Sequence, residues 1–218
     1  MGFAFRRKES IDEAARRVAG RQLEKAVDEL GTADAETLPA TVHGVRKRTK
    51  RVRAVARLVR SGIGKRYGRV NEAARDAAAE LSAVRDAAAL LGTFDALVVA
   101  SDPDQLTDGL VLVRRGLVAR ADATAAVDVD RAVELLTQAR GAVGDWAFDD
   151  GLEVLATGLD VTYRRGRTAL RAAVDDPTPE AFHEWRKAAK HLWYQIQLLH
   201  DAAPSVLCLV YTSDAADE

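Results

Sequence analysis

The chain has 218 residues, with 32 Lys and Arg against 33 Asp and Glu, a net charge of −1, and 48% hydrophobic residues. That length allows one or two domains whose core needs no disulfide or metal staple, and the balance excludes a disordered chain. A net charge of −1 argues against a polyanion partner only as an average, because the charges are unevenly spread.

Aromatic residues are 6% of the chain, and Pro and Gly fall between long segments of helical periodicity. The expected fold class is all-α. The first helix runs from about Phe3 or Ser10 to Leu30, with Ser10 and Glu13 forming a capping-box pattern and Gly31 as the stop. The second runs from about Pro39 to Val59, with Pro at the favoured first turn. The third runs from about Tyr67 to Leu91, followed by punctuation at Gly92 and Asp102-Pro103. Weaker helices are expected near Gln105–Ala119 and Val129–Val143. A long helix covers about Trp146–Val174 and ends at Asp175-Asp176-Pro177. The last runs from the cap Thr178 and from Pro179 to His200.

One nine-residue pattern occurs twice. Residues 42–50 read VHGVRKRTK and residues 182–190 read FHEWRKAAK; both contain H-x-x-R-K-x-x-K, with a Pro four residues before the His. This points to a duplicated helical unit. In a helix, positions i, i+3, i+4 and i+7 share one face, so His43, Arg46, Lys47 and Lys50 align, and Ala54 and Arg57 continue the stripe. Arg51, Arg53 and Arg60 flank it, and residues 41–60 hold eight Lys and Arg and no acid. Val45, Val52, Val55, Ala56 and Val59 mark the opposite, core-facing side. From His43 to Arg57 the ridge is about 20 Å long, at about 1.5 Å per residue. In the second copy His183, Arg186, Lys187 and Lys190 form the matching stripe, and His191 adds a further donor. Trp185, Leu192, Trp193, Ile196 and Leu199 are expected to supply its core side.

Unpaired cations at i,i+4 repel by a few tenths of a kcal/mol, roughly, so such stripes suit an anion from outside the helix. Arg forks bind phosphate oxygens bidentately, Lys binds them as a point charge, and His can donate to them. The plain alternative is a basic face that is solvated or paired with acids of another helix. A third cluster, Asn71, Arg75, Ser82 and Arg85, lies near one helix face, with Asp76 and Asp86 placed to orient the arginines. A fourth is Tyr163-Arg164-Arg165-Gly166-Arg167. Gly166 in mid-helix costs about 1 kcal/mol relative to Ala, which close approach of another helix or a ligand would explain.

The single cysteine, Cys208, excludes a disulfide framework within the chain and fits a reducing compartment. The N-terminus has no apolar run behind its basic residues, so no signal peptide is read and a cytoplasmic location is expected. The longest apolar stretch, Leu106–Val118, is broken by Asp108, Arg114 and Arg115, so no membrane span or membrane partner is expected.

Together these motifs resemble the CHAD family, the conserved-histidine α-helical domain, over about Phe5 to Leu199. The quoted motifs are the two H-x-x-R-K-x-x-K helices, Asn71…Arg75-Asp76, Leu81-Ser82-x-x-Arg85-Asp86 and Tyr163-Arg-Arg-Gly-Arg167. The resemblance implies two four-helix bundles related by a pseudo-twofold axis, here 1–101 and 102–207, the second incomplete. It implies a basic cleft between them that binds inorganic polyphosphate, and a location at polyphosphate granules. Carried over by position, His43, Arg46, Lys47, Lys50, Arg53, Arg57, His183, Arg186, Lys187 and Lys190 would line the cleft, with Arg75, Arg85, Arg164 and Arg167 as outer members. Residues 208–218, CLVYTSDAADE, depart from the family and resemble a translated sequencing adapter; they carry Asp214, Asp217 and Glu218 and no basic residue. An incomplete second bundle leaves the faces around Trp193, Ile196 and Leu199 uncovered, so self-association is expected.

The function expected is therefore a non-catalytic binding module, with no catalytic residue, no cofactor and no metal. The alternatives are a phosphate-processing enzyme or phosphohistidine carrier using His43 and His183, and a nucleic-acid-binding basic helix. No Walker loop is present, since Gly62-Ile-Gly-Lys65 lacks the upstream Gly and the following Ser or Thr. The first basic helix has no aromatic to stack bases, so a nucleic-acid partner is not expected. A His with only Arg and Lys at i+3, i+4 and i+7 is a poor metal ligand shell.

Overall fold

The computed structural model describes residues 3–6, 8–101, 108–125, 129–149 and 151–201. The expected tail 208–218 and the Asp102-Pro103 punctuation lie outside the described residues. The described residues form α1 (Ile11–Gly31), α2 (Leu38–Leu58), a single turn α3 (Arg60–Ile63), α4 (Arg66–Glu80), α5 (Ser82–Ala100), α6 (Asp108–Ala125), α7 (Asp130–Gly144), α8 (Leu152–Asp175) and α9 (Pro179–Leu199). They include no strand, and the fold is all-α. No helix among the described residues is long and apolar enough to cross a membrane.

Local chemistry sets the helix ends. α1 begins at Ser10, the second of the two starts expected for it. The Glu13 amide donates to Ser10 Oγ at 3.4 Å, and the Ser10 amide donates to the Glu13 carboxylate at 3.4 Å, a complete capping box. α9 opens on Thr178, whose Oγ1 accepts from the Ala181 amide at 3.2 Å, with Pro179 in the first turn. The helix expected over Tyr67–Leu91 is two helices, broken at Leu81. There Ser82 Oγ donates to the Ala79 carbonyl at 2.6 Å, a side-chain bond that competes with the helical ladder. Beyond the break α5 runs through Gly92 to Ala100, so that glycine does not end the helix. The helix expected over Trp146–Val174 starts instead at Leu152, because Trp146 is fully buried in the core just after α7 ends.

α1 packs on α2, α2 on α4, α4 on α7 and α7 on α1, which closes a four-helix bundle. Its interior holds Leu23 and Leu30 of α1, Val42, Val45, Val52 and Val55 of α2, Val70 and Ala77 of α4, and Leu136 and Ala139 of α7. Each such Leu or Val contributes roughly 1.5–3 kcal/mol on burial. The bundle thus takes α7 from the stretch after residue 101. α8 pairs with α9, and α5 pairs with α6. α2 touches α5, α8 and α9 as well as its bundle partners, so it is the helix on which the other pairs rest.

Two expectations about side-chain packing change. Trp185, Leu192, Trp193, Ile196 and Leu199 are only half-buried; the buried positions of α9 are Ala188, Tyr194, Gln195 and Leu198. The reason is rotational: Tyr194 turns towards the N-terminal segment, its ring edge-on to Phe3 at 6.2 Å, and the Phe5 amide donates to the Leu198 carbonyl at 2.8 Å. Gly166 has no atom within 4 Å of where a Cβ would stand, so no helix approaches it. The close approach is at Gly158, where a Cβ would overlap the Leu58 carbonyl as α8 crosses the end of α2.

Candidate functional site

The valine face of α2 is buried in the bundle, so its His43–Arg57 stripe points away from the core and towards α9. α9 turns its own stripe back. One cavity is lined by His43, Arg46, Lys47, Lys50, Arg85, Lys190 and Tyr194. A second is lined by Arg46, Lys50, Arg53, Arg85, His183, Arg186, Lys187, Lys190, His191 and Tyr194. Five residues are common to both, so they form one continuous cleft. Lys190 and Tyr194 line both parts, His43 and Lys47 only the first, and Arg53, His183, Arg186, Lys187 and His191 only the second. No Asp or Glu is among these lining residues.

The break at Leu81 completes the cleft. α4 ends at Glu80, which leaves the Ala78 carbonyl without a partner in its own helix, and Arg46 Nη1 donates to it. α5 then starts at Ser82 and delivers Arg85 to the cleft, where it pairs with Asp86 at 2.7 Å. Arg53 Nε donates to Asn71 Oδ1 of α4 at 3.0 Å. Arg57 Nη1 lies 2.9 Å from both ring nitrogens of His191. Lys187 pairs with Glu184 at 2.6 Å, which holds that carboxyl below its ordinary range.

The electrostatics of the cleft are self-repulsive. Burial pulls the Lys50 ammonium below its ordinary value, and Lys190, Arg46, Arg85 and Arg186 pull it further. Burial likewise lowers Arg46, with Arg85 adding to the shift and Asp86 opposing it. Burial lowers Arg53 and Arg57, with Tyr67 opposing in both cases; Arg75 adds to the first, and Arg53 and Arg165 to the second. The His191 ring is pushed down to about 3 by burial and then by Arg57, Arg53, Arg165 and Lys187. An anion in the cleft would oppose the cation–cation part of these shifts.

The structure brings His43, Arg46, Lys47, Lys50, Arg53, Arg85, His183, Arg186, Lys187 and Lys190 to the cleft, and Arg57 to its end through His191. It leaves three expected members outside the lining. Arg75 is exposed on α4 and bonded to Asp76 at 2.8 Å. Arg164 pairs with Asp160 one turn back at 2.9 Å, and Arg167 sits 5.9 Å above the Tyr163 ring. Arg165, about 100° around the helix from Arg164, is the one whose charge reaches Arg57 and His191. Tyr194 was not among the expected residues, although it extends the second stripe by one i+4 step from Lys190. His191 is a neutral neighbour of Arg57 rather than a charged donor.

No curated protein and no solved structure matches this chain. The family model described as CHAD domain matches residues 17–207, a span that contains both stripes, the Leu81 break and the α8 crossing, and the chain belongs to the CHAD domain family.

Proposed function

We propose that the chain is a non-catalytic module that binds inorganic polyphosphate in the cleft between α2 and α9, in the cytoplasm where polyphosphate accumulates. The observation that carries this reading is the lining itself: two H-x-x-R-K-x-x-K stripes from distant parts of the chain face each other, with no carboxylate among the described lining residues. A linear chain of phosphates offers repeated oxygens at a spacing that successive Lys and Arg can follow. Arg46 and Arg53 are held by Ala78 and Asn71, so part of the ordering cost of binding is met before the ligand arrives.

The test is retention on immobilised polyphosphate. Replacing Lys47, Lys50, Lys187 and Lys190 by Glu is expected to abolish retention, and unchanged retention refutes the site. Affinity of the unaltered protein is expected to fall steeply with salt, through counterion release. Polyphosphate is expected to displace DNA and RNA, and labelled polyphosphate is expected to survive incubation. Preferred binding of nucleic acid, or release of phosphate, would overturn the reading in favour of a nucleic-acid binder or an enzyme.

A further inference from the structure

Past Arg57 the surface carries a second basic groove outside the cleft. Its walls include Arg57 at the end of α2, Arg60 and Ser61 of the α3 turn, Lys65 beyond it, and Thr157 on α8. No carboxylate is among its described lining residues. The backbone builds this groove in two places. Gly64 has φ +53°, in the left-handed region that favours glycine, and its turn brings Lys65 back towards the groove. Gly158 lets α8 sit against the Leu58 carbonyl, which sets Thr157 beside Arg57.

The two arginines are positioned rather than loose. The Arg60 guanidinium lies 4.5 Å over the Tyr67 ring, and Tyr67 also favours the charge of Arg57. One aromatic therefore steadies two arginines whose forks suit phosphate oxygens, with the Ser61 and Thr157 hydroxyls as further donors. Arg57 belongs to both places, because it lines this groove and touches His191 in the wall of the cleft. A phosphate chain leaving the cleft past Arg57 would enter the groove directly.

We infer that the groove is a second phosphate site, which takes the units of a polyphosphate chain that extend beyond the cleft. The continuity of the path rests on the cleft reading, whereas the groove's own chemistry does not. The experiment compares R60Q/K65Q with the unaltered protein, titrated with tripolyphosphate and with polyphosphate of about 100 units. Both side chains are exposed, so the fold is expected to survive, with circular dichroism as the check. Loss of two phosphate contacts is expected to weaken long-chain binding about tenfold or more. It is expected to flatten the log–log salt slope by about 1.4, while tripolyphosphate binding in the cleft is unchanged. An unchanged long-chain affinity and slope overturns the proposal. So does an equal loss for both lengths, which would mean a diffuse field and no site. K50E/K190E in the cleft separates the two readings. It is expected to weaken both lengths, and if it weakens neither, the cleft reading fails while R60Q/K65Q still decides the groove.

Discussion

His191 sits where its own charge would be a liability. Arg53 and Arg57 face it from α2, Arg165 from α8 and Lys187 from its own helix, and it stays neutral down to about pH 3. An unfolded histidine takes up its proton near pH 6.5. Between those values the unfolded chain holds a proton that the folded chain refuses, so stability falls as pH is lowered through that window. Glu9 and Asp12, held low chiefly by their hydrogen bonds to Arg17 and Ser10, contribute an acid loss of the same sign, but only below about pH 4.5. The urea midpoint measured from pH 7 to pH 5 is therefore expected to drop, and H191Q is expected to flatten that drop; an identical slope in the variant would count against the assignment. Polyphosphate in the cleft opposes the same four cations, so binding at pH 5 is expected to draw protons from solution. Titration calorimetry in two buffers of different ionisation heat reads that uptake, which H191Q should reduce. The basic stripe was legible from spacing alone, because His43, Arg46, Lys47 and Lys50 repeat 140 positions later. Which arginine of Tyr163–Arg167 acts on Arg57 and His191 was not, since that depends on the rotation of α8 about its axis.

At the scale of the element, two glycines on α8 have opposite reasons for being there. Gly158 lies against the Leu58 carbonyl, and any Cβ must push α8 off α2. Gly166 faces open space, where the helix gains from a methyl group. G158A is expected to destabilise the fold by about 3 kcal/mol, the upper part of the usual overpacking cost. G166A is expected to stabilise it by up to about 1 kcal/mol. Thermal unfolding of the two variants checks the pair, and a stabilised G158A would refute the crossing. In the sequence Gly166 stands out as a mid-helix glycine among arginines, whereas nothing local marks Gly158. A close helix crossing is a relation between Gly158 and Leu58, 100 positions apart, and one sequence does not state it. The break at Leu81 was hidden for a similar reason. The periodicity continues across it, and what marks it is Ser82 turning back to Ala79 while Arg46 takes the Ala78 carbonyl.

At the scale of the whole molecule, the all-α class and most helix limits followed from composition, caps and prolines. The partnering of helices did not: α7 closes the bundle of α1, α2 and α4 across an expected boundary. Self-association was expected around Trp193, Ile196 and Leu199, yet these are half-buried, and more apolar surface stands elsewhere. On α5, Leu97 and Val99 are 63% and 86% exposed; on α6, Val111 and Leu112 are 58% and 63% exposed. α5 and α6 pack on each other, and the Arg114–Asp95 pair at 2.8 Å bridges them on the outside. A hairpin with apolar side chains on its open faces can bury them against the same hairpin of a second molecule. Static light scattering across a concentration series is expected to show a mass that rises with concentration. Replacing Leu97 and Leu112 by Glu is expected to return it to that of one chain while polyphosphate retention persists, because neither residue lines the cleft. A concentration-independent single-chain mass for the unaltered protein would remove the argument, and the exposed leucines would then be ordinary surface.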